Sequence, residues 1–238
     1  MDGMKNNQQL AMTAPINIAF FDLDETLIAT DTKQAWLDYL YQQGRASSDR
    51  VAQEQQAYLD FKKGRINLEQ YMHVQLTPLK GRSTQTVDDW ATDFIDRFVA
   101  PVVVPQALER IEWHRNRGDH CVLVSNTAAH LARPIGALLK LDTVIAIELE
   151  TINGVYTGSI SHCVRDFRGK HDYMQAWLSD RHDTVGHTYG YSDSHWDVPL
   201  LEQVDNAFAV NPDPHLSLHA QKKDWTIMEW ARHDTIRD

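Results

Sequence analysis

The sequence predicts an α/β protein in which a doubly wound parallel sheet forms the core and a helical cap is inserted after the first strand. Three observations lead there. Short, continuously apolar runs alternate with helical patterns, as strands buried on both faces require. Most of these runs end in polar or turn residues, and the ends of such strands are where open sheets place their ligand crevice. The long stretch between residues 21 and 120 reads as helices, with VVV as its only further strand candidate.

The N-terminal segment MDGMKNNQQLAMTAP is polar and lacks the apolar core of a secretory signal, so residues 1–14 are expected to form a loose tail. INIAFF (16–21) is the first strand. In the stretch that follows, KQAWLDYLYQQ stops at Gly44, SDRVAQEQQAYLDFKK stops at Gly64, and NLEQYMHVQL opens with Asn67 and Gln70 in capping-box spacing. STQTVDDWATDFIDRF places Val87, Trp90, Ala91, Phe94, Ile95 and Phe98 on one helical stripe, the expected packing seam of the cap. The cap is assigned to residues 30–103, and the core to 15–29 and 104–238.

In the core, Pro105 opens and Gly118 closes the helical pattern PQALERIEWHRNRG. HCVLVS (120–125), TVIAIEL (143–149), HTYGYS (187–192) and NAFAVN (206–211) are the later strands, and NGVYTGSIS is a hairpin turning at Asn153-Gly154. The class is the Rossmann-like one, with ligands at the carboxyl ends of strands.

Composition narrows the partners. Of 238 residues, 23 are Lys or Arg and 33 are Asp or Glu, a formal charge of −10 that argues against sequence-independent binding of nucleic acid. No apolar run approaches the roughly 18 residues of a spanning helix, so a cytoplasmic protein with no membrane partner is expected. The two cysteines, Cys121 and Cys163, form no metal or redox motif. His215 and His219 stand one helical turn apart without a third ligand, and are read as exposed side chains. The oligomeric state has no signature.

The residues with chemical potential lie at strand ends. Asp22 and Asp24 follow the first strand with period-two spacing, which points both to one side. Two carboxylates ~4 Å apart repel by about 4 kcal/mol at an effective dielectric of 20, so keeping both ionised calls for a metal ion or a lysine. Asp193 and Asp197 follow a later strand, and oxygen-only ligands suit Mg²⁺. Lys170 opens a helical pattern and can supply a point charge to a phosphate. Ser125 and Thr127 offer hydroxyls at the same sheet edge. Together these are parts for phosphoryl transfer through an aspartyl-phosphate.

In order and strand context, DLDET (22–26), Ser125, Lys170 and DSHWD (193–197) resemble the four motifs of the haloacid dehalogenase superfamily of phosphohydrolases. From about residue 16 to 230 the chain is most similar to the branch that includes phosphoserine phosphatases, which carries a small helical cap; the hairpin and NPDPHLSLHAQKKDW fit that branch too. The resemblance implies Asp22 as nucleophile and Mg²⁺ ligand, and Asp24 as the acid that protonates the leaving oxygen and then activates water, with its backbone carbonyl on the metal. Thr26 would support the loop, while Ser125 and the Asn126 backbone would hold phosphoryl oxygens. Lys170 would balance charge. Asp193 would bind Mg²⁺ directly and Asp197 would complete the metal site by orienting waters or Lys170; Asp197 is also placed to cap the helix it opens. Asp31 stands where phosphoserine phosphatases have a Glu that contacts the substrate's ammonium, and would either do likewise or cap the helix beginning near Thr32.

Two departures stand out. Ser192 replaces the family's usual Gly, and Asn126-Thr127 replaces a common Gly-Gly. The expected function is Mg²⁺-dependent hydrolysis of a small phosphorylated metabolite, such as phosphoserine or histidinol phosphate. A phosphotransferase or mutase on the same fold, and a phospho-accepting signalling module, are the alternatives; a signalling module has no use for Asp24 or a cap.

Overall fold

The computed structural model describes residues 14–161 and 169–231. The expected tail through residue 13, and Cys163, lie outside them. Strand β1 (Ile16–Phe21) leads into helices α1 (Thr32–Gln42), α2 (Ser48–Lys62), α3 (Leu68–Gln75) and α4 (Thr84–Phe94). These four helices occupy the stretch assigned above to the cap. Each begins on a polar N-cap, Asp31, Ser47, Asn67 and Ser83 respectively, and Asn67 with Gln70 makes the full capping box. The α4 stripe buries Val87, Ala91 and Phe94, with Trp36 of α1 edge-on to Phe94 at 5.2 Å between ring centroids.

VVV is not a strand. Pro101 and Pro105 bracket it, the chain makes a 3-10 turn at Ala100–Val102, and Val103 keeps only a bridge to Ile28. Helix α5 (Pro105–Asn116) then precedes β2 (His120–Ala128), α6 (Ala129–Leu138) and β3 (Thr143–Ile147). A hairpin of β4 (Leu149–Ile152) and β5 (Val155–Ile160) turns at Asn153 and Gly154, both at positive φ. The rest of the core is α7 (Lys170–Ser179), β6 (Val185–Ser192), α8 (Val198–Leu201), β7 (Asn206–Val210), α9 (Pro214–Lys222) and β8 (Thr226–Met228).

Six strands form one parallel sheet in the order β3-β2-β1-β6-β7-β8. The chain works outward from β1 to β3, then returns to the other side of β1 with β6. That reversal puts a crevice at the carboxyl ends of β1 and β6. Both faces of β1 are covered: Ala19 and Phe21 pack with the cluster that continues into the cap, while Ile18 and Phe20 pack with Met174, Leu200 and Leu216. The continuous apolar reading of the strand follows from this double burial. No helix among the described residues is long and apolar enough to cross a membrane.

One cap residue makes a pH-dependent contribution to stability. Glu54 of α2 is buried, and its pKa is pushed up to about 7 by that burial, with Asp31 and Asp38 adding to it and Arg50 opposing. The folded chain therefore holds a proton that the unfolded chain, at about 4.3, gives up sooner, and stability falls as pH rises through that window. Glu54→Gln removes the ionisation. Above pH 7 it is expected to be more stable than the wild type by on the order of 2 kcal/mol, with little difference near pH 4.5. Urea unfolding at the two pH values measures this, and an equal difference at both would refute it.

Candidate active site

Asp22 is the first residue after β1, held by its backbone N–H on the Tyr191 carbonyl of β6 at 2.9 Å. Its side chain is 7% exposed. The next residues turn sharply, with Glu25 at a φ of 60°, a left-handed conformation that costs roughly 1–2 kcal/mol for a side chain other than glycine. The turn brings Thr26 back beneath the carboxylates. Its hydroxyl lies 3.4 Å from Asp22 Oδ2 and 3.2 Å from Asp193 Oδ1, and accepts the Asp193 N–H at 3.1 Å. One fully buried threonine thus ties the end of β1 to the end of β6.

Lys170, the first residue of α7, reaches the same point from below. Its Nζ donates to Asp22 Oδ1 and, at 2.7 Å, to Asp197 Oδ2. The lysine is 9% exposed and Asp197 4%. The expected capping bond from Asp197 to the helix it opens is absent, because its carboxylate is turned inward to Lys170 and to the Ser192 hydroxyl, which donates at 2.6 Å. Ser192, where the family usually has Gly, therefore has a defined contact: its hydroxyl also accepts the Ser194 N–H at 3.2 Å and so shapes the Asp193–Asp197 loop.

Asp24 faces a different set of groups. Its Oδ1 accepts the Thr32 N–H at 2.9 Å and the Thr32 hydroxyl. Its Oδ2 accepts Lys33 Nζ at 2.7 Å and the Thr127 hydroxyl at 3.2 Å. Thr127 can reach because β2 bulges: Val124 pairs with Ile145 and Ala128 with Ile147, so residues 125–127 stand out of the ladder toward the crevice. Ser125 sits in the same bulge with its Oγ accepting the Thr127 N–H at 3.0 Å. The buried Asn126 Oδ1 has no hydrogen-bond partner among the described residues.

Asp31 takes the capping position of α1, accepting from the N–H groups of Lys33 and Gln34 at 2.9 and 3.1 Å. It also lines a cavity of about 30 Å³ with Lys33, Leu37, Glu54, Tyr58 and Tyr71. A wider cleft of about 310 Å³, lined by Glu69, Gln70, His73, Ser159 and Ile160, holds none of the site carboxylates.

The charges are unequally balanced. Burial pushes the Asp22 pKa well above the usual carboxylate range, and Asp197, Asp193 and Asp24 add to this while Lys170 opposes it. Asp193 is raised too, chiefly by burial. Burial acts the same way on Asp24, but Lys33 and the Thr32 bonds outweigh it and its pKa is lowered. Among the described residues, Asp22, Asp193 and Asp197 thus share one ammonium, Lys170. Their donor set is all oxygen, and no group of three or more His, Cys, Asp or Glu side chains able to hold a metal by themselves occurs among the described residues. A hard cation that keeps most of its waters fits this arrangement; a cation needing a full protein cage does not.

A sequence model of the haloacid dehalogenase-like hydrolases matches residues 19–202, which span every residue of this site. The chain belongs to that family. A histidinol-phosphatase of Neisseria meningitidis serogroup C is 32% identical over 90% of this chain and 99% of its own length. A phosphoserine phosphatase of Mycobacterium tuberculosis is 24% identical over 89% of this chain and 70% of its own. Among solved structures, a protein of unknown function from Bordetella pertussis Tohama I superposes with a TM-score of 0.82 at 31% identity, covering 90% of this chain and 98% of that one. A substrate-bound phosphoserine phosphatase, at 18% identity and a TM-score of 0.63 over 91% and 94% of the two chains, shares the fold. The expected assignment as a phosphoric monoester hydrolase of the haloacid dehalogenase-like family holds.

Two contacts of this hydrolase's site have no counterpart in the sequence reading: Thr32 and Lys33, both on Asp24. One signal was present. A lysine in the first turn of a helix opposes the helix dipole, so its placement there points to a partner outside the helix.

Proposed function

We propose that the protein is a Mg²⁺-dependent phosphatase that hydrolyses a small phosphomonoester through a phosphorylated Asp22. The observation that carries this is the Asp22–Lys170–Asp197 chain, with Asp193 tied alongside through Thr26. Asp22 would attack phosphorus in line, and Asp24, held off to the side by separate donors, would serve the leaving oxygen and then the attacking water. Ser125 and the backbone at Asn126, lifted out of the sheet by the β2 bulge, would hold phosphoryl oxygens. Lys170 would keep Asp22 aimed and partly neutralised. The Asp22 and Asp193 carboxylates, the Asp24 carbonyl and, through waters, Asp197 would hold Mg²⁺, which when bound neutralises phosphoryl charge and permits several carboxylates to remain ionised together. The helical cap would exclude bulk water over the site.

For the substrate, we favour an amino-alcohol phosphate such as histidinol phosphate over phosphoserine. The small cavity beside Lys33 is bordered by the Asp31 carboxylate and by Glu54, which ionises only near pH 7, and its one lining cation, Lys33, is engaged with Asp24. That suits a cationic leaving group better than one bearing a carboxylate. The histidinol-phosphatase relative supports the same choice. The test is phosphate release from a panel of phosphomonoesters, with Mg²⁺ and after EDTA. Release is expected with the metal and is expected to fall by at least about 100-fold without it, given the several kcal/mol such an ion supplies. Equal rates would sink the proposal, and phosphate delivered to an added alcohol instead of water would identify a transferase.

A further inference from the structure

We propose that Lys33 is a positioning residue for Asp24, fixing the carboxylate toward the leaving group; this rests on the acid/base role proposed for Asp24. The geometry is specific. Asp24 receives four donors, and three of them come from Thr32 and Lys33, the first two residues of α1. The core itself contributes only Thr127 among these. Lys33 is the charged member, 2.7 Å from Oδ2, and its side chain is 18% exposed although it lies in the first turn of a helix, where a lysine would ordinarily extend into water. Asp31, the N-cap, stands 3.9 Å from the same Nζ and adds a second negative charge near the ammonium.

A carboxylate two bonds beyond its backbone has a broad terminal torsion, so its aim depends on its hydrogen bonds. Thr32 fixes one oxygen. Lys33 fixes the other, together with a neutral hydroxyl at the longer distance of 3.2 Å. With Lys33 replaced, Oδ2 is left with Thr127 alone among these donors, and the carboxylate loses its charged anchor. The loss should therefore fall on steps that need proton transfer to the leaving oxygen, and spare binding of the phosphoryl group at Asp22 and Ser125.

Leaving-group dependence separates these effects. An alkyl phosphate leaves as an alkoxide that must be protonated, whereas p-nitrophenyl phosphate leaves as a stable phenolate. The ratio of kcat/KM for the alkyl ester to that for the aryl ester is measured in the wild type, Asp24→Asn, Lys33→Met and Lys33→Arg, with Mg²⁺ present. Because positioned acid catalysis contributes typically 10²–10⁴-fold, the ratio is expected to fall by at least about 100-fold in Asp24→Asn and about tenfold in Lys33→Met. Lys33→Arg, which keeps a donor cation within reach, is expected to recover part of it. A fall in Asp24→Asn with an unchanged ratio in Lys33→Met overturns the role of Lys33 and leaves the mechanism standing. A uniform loss on both esters in Lys33→Met also overturns it, and the neutral Lys33→Gln is read by the same criteria if Lys33→Met does not fold. An unchanged ratio in Asp24→Asn removes the acid/base assignment itself.

Discussion

Asp22→Asn is expected to abolish phosphate release, with kcat/KM lower by about 10⁴-fold or more, the scale on which enzymes lose rate when their nucleophile is removed. The amide keeps the shape of the side chain but cannot attack phosphorus and persist as an acyl phosphate. The fold is expected to survive. Lys170 retains Asp197 at 2.7 Å, and the lost carboxylate was one that burial already disfavoured. Phosphate release and thermal unfolding measured on the same sample separate the two effects. Turnover near the wild-type level in a folded variant would place the nucleophile elsewhere.

Lys170→Met should be costly in both respects. The ammonium is the shared donor of two buried carboxylates, and removing one partner of a buried ion pair typically costs about 3–5 kcal/mol, because the remaining charge stays buried without compensation. Catalysis should fall as well, by about 10²-fold or more, since a fixed positive charge beside the reacting group is lost. Urea unfolding in EDTA measures the stability term. Adding Asp22→Asn to Lys170→Met should recover part of the lost stability, because the second change removes one of the stranded charges; contacting residues couple in this way. If Lys170→Met unfolds at the wild-type urea concentration, the buried pair is not carrying the charge balance of the site.

The residues that form the charge chain were legible because Asp22 and Asp197 each follow a strand in a short motif and Lys170 opens a helical pattern. Asp22, Ser125 and the Asp193–Asp197 motif are separated widely in sequence, and a parallel sheet sets β1, β2 and β6 side by side so that they meet at one edge. What was not legible is contact chemistry that depends on exact turns. Asp197 occupies the position of a helix cap, yet the Lys170 ammonium draws its carboxylate away. Ser192 reads as a small constraint on a loop, and only the fold shows its hydroxyl on Asp197. Thr127 joins Asp24 through a bulge that no apolar pattern marks, since Val124 and Ala128 are both ordinary sheet residues. The edge strand β8 is three residues long with two of them exposed, too short and too open to show an apolar run. VVV misleads in the opposite direction: β-branched residues favour a strand, but the two prolines beside them set the backbone.

Helix α1 has two attachments that pull in different directions. Its first turn grips Asp24, while Trp36 and Tyr39 belong to the aromatic packing with Phe94 that holds the helical insertion together. The insertion is therefore not an interchangeable module that begins where β1 ends. A chimera that exchanged the whole segment, Thr32 and Lys33 included, would replace three of the hydrogen bonds that hold Asp24. A graft joined after Lys33 would keep the Thr32 and Lys33 contacts to Asp24 native and confine the exchange to the rest of the insertion.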